Sequence, residues 1–136
     1  MLDQNTSAQL KTLLERLEGP IELVATLNDS DKSAKIKELV EEVAALSDLV
    51  TARFDGKNSR APSFGIAKAG EEPRVFFAGL PMGHEFTSLI LALLQTSGYA
   101  PKVSDEVLTS IKELGVNSHF DVFVSLSCHN CPDVVQ

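Results

Sequence analysis

The chain is short of cysteine: its 136 residues hold two, Cys128 and Cys131. That excludes a scaffold stapled by several disulfides. It also argues against a structural zinc site, because His84, His119 and His129 offer no second ligand pair at zinc spacing. No apolar run reaches the length of a membrane span, and Met1-Leu2-Asp3 lacks the basic and apolar regions of a secretory signal. A reducing cytoplasm is therefore the expected compartment, where a cysteine pair is more often catalytic than structural. Positive charge is scarce as well. Twelve Lys and Arg against 19 Asp and Glu leave a net charge of −7, which speaks against nucleic acid and anionic membranes as partners, since both would be repelled at long range. What remains is 43% hydrophobic and 23% charged, the composition of one soluble globular domain or a little more.

The two cysteines that are present fall in Cys128-His129-Asn130-Cys131, after the β-branched and aromatic run Phe120-Asp121-Val122-Phe123-Val124-Ser125-Leu126 and before Pro132-Asp133, a common helix opening. A strand, a turn carrying Cys-x-x-Cys and a helix make the layout of a thiol-disulfide redox centre. At the N-terminus of a helix starting at Cys128, unpaired backbone N–H groups would lower that thiol's pKa from about 8.5 towards neutrality. Cys128 is then the attacking thiol and Cys131, further into the helix and more covered, the resolving one. His129, between them, is expected to modulate the pair through its partial charge. A structural disulfide this short would close too small a loop to stabilise much. Two unrelated buried cysteines remain the other reading.

Upstream, helical and strand patterns alternate. Leu10, Leu13, Leu14 and Leu17 recur at helical spacing up to Gly19-Pro20, and Ile21–Leu27 reads as a strand. A helix capped by Asp29 or Ser30 buries Ile36, Leu39, Val40, Val43 and Leu46, with Glu38, Glu41 and Glu42 on a solvated face. Strands are predicted at Val50–Phe54, Ser63–Ala67 and Val75–Ala78. A helix then runs from about Gly83 to Thr96, closed by Gly98. Ser104 caps one further helix with Val107, Leu108, Ile111 and Leu114 on its apolar face. This order is one complete α/β unit, residues 1–100, followed by the start of a second, 101–136. Laying Ile21 on Phe120 brings Val24 onto Phe123 and Leu27 onto Leu126, and puts Asp29 and Lys32 where Cys128 and Cys131 stand. The first copy would thus carry the scaffold without the thiols.

Several segments match a family. Pro20-Ile21-Glu22-Leu23-Val24-Ala25-Thr26-Leu27-Asn28-Asp29-Ser30, Gly83-His84-Glu85-Phe86-Thr87-Ser88-Leu89 and Ser125-Leu126-Ser127-Cys128-His129-Asn130-Cys131-Pro132-Asp133-Val134-Val135 make the chain resemble the N-terminal domain of the F component of alkyl hydroperoxide reductase, the flavoprotein reductase of a bacterial peroxiredoxin. The resemblance implies a tandem thioredoxin-like fold and electrons passing from NADH to FAD, to a second disulfide in the flavoprotein body, to Cys128/Cys131, and on to the peroxiredoxin. No G-x-G-x-x-G fingerprint is present, so FAD and NADH are expected to bind beyond Gln136, which looks like a cut end. An apolar strand at 120–126 with no sheet of its own is expected to pair with the first unit or with another copy. The same likeness makes Pro62 a structural cis-proline. It also suggests that Glu85 reaches across the cleft between the units to tune the thiols, where otherwise it is an acid favoured in a helix's first turn. The readings left open beside this one are a non-catalytic thioredoxin-like docking module and a stand-alone glutaredoxin-like reductase.

Overall fold

The computed structural model describes residues Met1–Gln136. Residues with apolar side chains at helical spacing form α1 (Gln4–Leu14), which Asp3 caps by accepting the N–H of Thr6. Leu10 and Leu14 are its buried positions, and Leu17 joins the core from the turn beyond. β1 (Ile21–Thr26) follows, then α2 (Asp31–Ala45), capped by Ser30 through the N–H of Ser33. β2 (Val50–Arg53), β3 (Ser63–Lys68) and β4 (Val75–Phe77) complete the strands.

The strands make one sheet in the order β2-β1-β3-β4. β1 pairs β2 in parallel, Ile21 opposite Val50, and pairs β3 antiparallel, Ala25 opposite Phe64. The parallel pair needs a crossover, which α2 supplies by packing across β1, β2 and β3. A tight 3-10 turn, Gly83–Glu85, leads into α3 (Phe86–Thr96), which packs on β3 and receives α1. Sixteen buried side chains from these elements form one hydrophobic cluster, from Leu10 to Leu94. Gly98, at φ +115°, ends the run as a left-handed terminator, a conformation that costs glycine little.

Three expectations need correction. The segment Phe120–Leu126 forms no strand; Phe120 is 83% and Phe123 84% exposed. β propensity makes a strand only where a partner accepts its ladder of hydrogen bonds. This segment meets the first unit at Arg60 and at the Gly83 turn, away from the β2 and β4 edges. Pairing of copies through an open strand at 120–126 therefore has no formed edge to use. Second, α5 (Cys131–Val135) starts at Cys131 and not at Cys128. Third, Glu38 and Glu42 are not merely solvated, since both take the ammonium group of Met1, holding it above its usual range. The amphipathic helix α4 (Asp105–Glu113) forms as expected under a Ser104 cap, yet buries nothing: Ile111 is 58% exposed. No helix is long and apolar enough to cross a membrane.

Candidate functional site

Cys128 and Cys131 are joined as a disulfide, their Cα atoms 5.5 Å apart. The N–H of Cys128 donates to the carbonyl of Ser125 at 2.9 Å, turning the chain sharply before the pair. Pro132 then enters α5 in its first turn, where its missing N–H costs nothing. Although the helix starts late, its head still serves Cys128, because the N–H of Cys131 donates to the Cys128 Sγ at 3.2 Å. In the reduced protein that donor favours a thiolate on Cys128 over the thiol. Both cysteines are half-buried, so accessibility does not separate attacking from resolving thiol as the sequence suggested.

The first unit reaches this turn through the residues around Gly83. Gly83 adopts φ +58°, and a Cβ there would lie 3.0 Å from the Leu126 carbonyl oxygen. The N–H of His84 donates to that carbonyl at 3.5 Å, and the His84 ring lies on the His129 ring with centroids 4.3 Å apart. Next along, Glu85 turns inward. It is 2% exposed, and neither carboxylate oxygen has a hydrogen-bond partner. An acid placed only to complement a helix dipole would face water; this one sits in a turn packed against α5. Ser88, one helical turn on, accepts from the side chain of Gln136 at 3.2 Å.

A second neighbourhood forms at the head of α2. The Ala61–Pro62 peptide is cis, and the Asn28 side-chain amide donates to the Ala61 carbonyl at 3.1 Å while its oxygen accepts from Ser30 and Ser33. Asp29 and Lys32, the counterparts of Cys128 and Cys131 in the repeat alignment, are exposed there. Arg60, just before Pro62, binds Asp121 at 2.9 Å and lies over the Phe123 ring. His119 and then Arg60 hold the Asp121 carboxyl below its usual range. The structure thus brings Glu85, His129 and the cysteines into one region, and links Pro62 to it through Arg60 and the 121–126 segment. His84, Gly83 and Ser88 escaped sequence reasoning as site residues. The signal for them was the Gly83–Leu89 segment shared with the family, in which Glu85 alone was singled out.

A four-stranded mixed sheet with crossover helix and cis-proline, followed in the chain by a Cys-x-x-Cys disulfide, is a thioredoxin-like fold. Among solved structures the chain is similar to the N-terminal domain of the alkyl hydroperoxide reductase AhpF from Enterococcus faecalis, with TM-score 0.81 at 24% identity over 98% of this chain and 70% of that one. It is also similar to a protein disulfide oxidoreductase from Aeropyrum pernix, with TM-score 0.79 at 21% identity over 99% of this chain and 66% of that one. At such identity these likenesses show the fold. No family model matches the sequence. Curated relatives do: the chain is 51% identical over 136 residues to the F component of the alkyl hydroperoxide reductase of Pseudomonas putida and 53% identical over 137 residues to that of Escherichia coli, covering 100% of this chain each time. Over its whole length the chain matches the N-terminal part of the F component of alkyl hydroperoxide reductase, and it spans 26% of the length of these relatives.

Proposed function

We propose that this chain is the thiol-disulfide electron-transfer part of a flavoprotein peroxiredoxin reductase, with residues 1–100 as a cysteine-free thioredoxin-like unit and 101–136 opening the unit that carries the redox pair. The observation that carries the reading is the Cys128–Cys131 disulfide with the Cys131 N–H on the Cys128 sulfur, in a chain that matches this reductase component. In the step this geometry supports, the Cys128 thiolate attacks the disulfide of the peroxiredoxin and displaces one partner thiolate, leaving a mixed disulfide. Cys131, as thiolate, then attacks the Cys128 sulfur. The second partner sulfur leaves and takes up a proton, the peroxiredoxin departs as a dithiol, and the Cys128–Cys131 bond re-forms. Two electrons have moved.

FAD and NADH, which the family name implies for the longer protein, do not fit these residues. The β1–α2 turn, Leu27-Asn28-Asp29-Ser30, has no glycine to let a pyrophosphate approach, and the sheet has one parallel pair. We place both groups in the remainder of the longer protein, and no step above passes through them. Incubated with NADH, the purified chain is expected to keep its disulfide, while a small dithiol opens it; mass spectrometry after alkylation reads the two states. Reduction by NADH in this preparation, or a bound flavin in its absorption spectrum, would overturn the assignment. A disulfide that no dithiol opens would instead favour the docking module.

Glu85 is proposed as a group that tunes the pair. A carboxylate close to a thiol disfavours its thiolate and can take a proton from Cys131 as that residue resolves the mixed disulfide. Glu85→Gln keeps the shape of a buried carboxyl that has no hydrogen-bond partner and removes its ability to ionise, so folding should survive and thermal unfolding should not drop. The pH dependence of thiol alkylation is expected to shift. Superimposable wild-type and variant curves would leave Glu85 without a redox role.

A further inference from the structure

The stretch that carries the cysteines is held to the first unit at a few places only. Arg60 takes Asp121 upstream and Ser88 takes Gln136 downstream. Between them, the contacts that bracket the redox turn both come from His84. Its backbone N–H binds the carbonyl of Leu126, before Cys128, and its ring lies on His129, directly after Cys128. Gly83 suits the first contact: its φ of +58° favours glycine, and a Cβ there would crowd the Leu126 oxygen at 3.0 Å.

We propose that Gly83 and His84 act as a clasp that positions the Cys128–Cys131 turn, with His84 as its positioning residue, a role that rests on reading the pair as a redox centre. In the oxidised chain the covalent bond itself holds Cys128 near Cys131. Once the bond is opened, that constraint is gone. What then helps to keep the Cys128 sulfur at the Cys131 N–H, 3.2 Å away in the closed form, is the grip of His84 on both sides of it, beside the packing of α5 on the Gly83–Glu85 turn and on α3. In the dithiol state the clasp therefore acts on the position of the Cys128 sulfur. Without it, the donor contact that favours the Cys128 thiolate weakens; and because clasp and disulfide hold the same geometry, each favours the other, so the equilibrium tilts towards the dithiol. His84 is exposed, so replacing it leaves the core untouched.

The test uses this chain, in which Cys128 and Cys131 are the only thiols. In a Cys131→Ser background, iodoacetamide reports on Cys128 alone. With both cysteines present, glutathione sets the equilibrium: the Cys128–Cys131 bond breaks, two glutathione thiols pass their protons to the two cysteines, and one glutathione disulfide forms. His84→Ala, which removes the ring stacking, and Gly83→Ala, which crowds the Leu126 carbonyl, are each expected to slow Cys128 alkylation about threefold and to shift the equilibrium about threefold towards the protein dithiol, the scale of a single weak interaction. His84→Phe keeps a ring on His129 and should restore wild-type values. Unchanged rates and equilibria in both alanine variants, with unaltered thermal unfolding, would overturn the clasp. His84→Phe behaving like His84→Ala would overturn the stacking role. A wild-type disulfide that fails to equilibrate with glutathione at all would instead sink the redox reading beneath it.

Discussion

Cys131→Ser in the longer reductase, mixed with its peroxiredoxin, is expected to accumulate a covalent complex through Cys128, whereas Cys128→Ser should form none and bring electron transfer to background. The asymmetry follows from one hydrogen bond. The Cys131 N–H points at the Cys128 sulfur, so Cys128 is the better thiolate and the first to attack. With serine at 131 the mixed disulfide still forms but nothing displaces the partner. A non-reducing gel and mass spectrometry of the trapped adduct read the result. Trapping by the Cys128 variant and not by the Cys131 variant would exchange the two roles.

The largest effect on stability is expected from Phe64→Ala. Phe64 is 1% exposed, lies opposite Ala25 in the centre of the sheet and stacks on Phe77 with ring centroids 5.5 Å apart. Its removal leaves a cavity between elements that close on each other, costing about 3–5 kcal/mol out of the roughly 5–15 that hold a domain folded. Phe120→Ala is the control: at 83% exposure it should change stability by less than about 0.5 kcal/mol. Urea denaturation monitored by circular dichroism gives both numbers. Equal destabilisation by the two substitutions would mean that Phe120 is packed in solution as firmly as Phe64.

Much of the fold was legible because hydrophobic period and punctuation agreed along residues 1–98. The leucines of α1, the Ser30 cap of α2, the β-branched residues of β1, the apolar run of β3 and the terminating Gly98 each signalled the element that formed. The same signals failed at Phe120–Leu126. Alternating apolar residues announce a strand's fitness for a sheet, but the hydrogen bonds that make it one come from another strand, and none lies beside it. The site divided in the same way. Cys-x-x-Cys after an apolar run identified the chemistry, and Pro132 located a helix nearby. The contact between His84 and His129 had no local signature, because only the packing of the Gly83–Glu85 turn against α5 puts those rings together.

Residue type and spacing were enough to single out the cysteine pair, the α/β order of residues 1–98 and its core, since each depends on residues within a few turns of chain. Folding was needed to establish which sulfur receives the Cys131 N–H, that Glu85 is buried without a partner, and that His84 grips the redox turn on both sides of Cys128. Those are matters of distance and enclosure, and they exist once a sheet and its helices have fixed where each element ends.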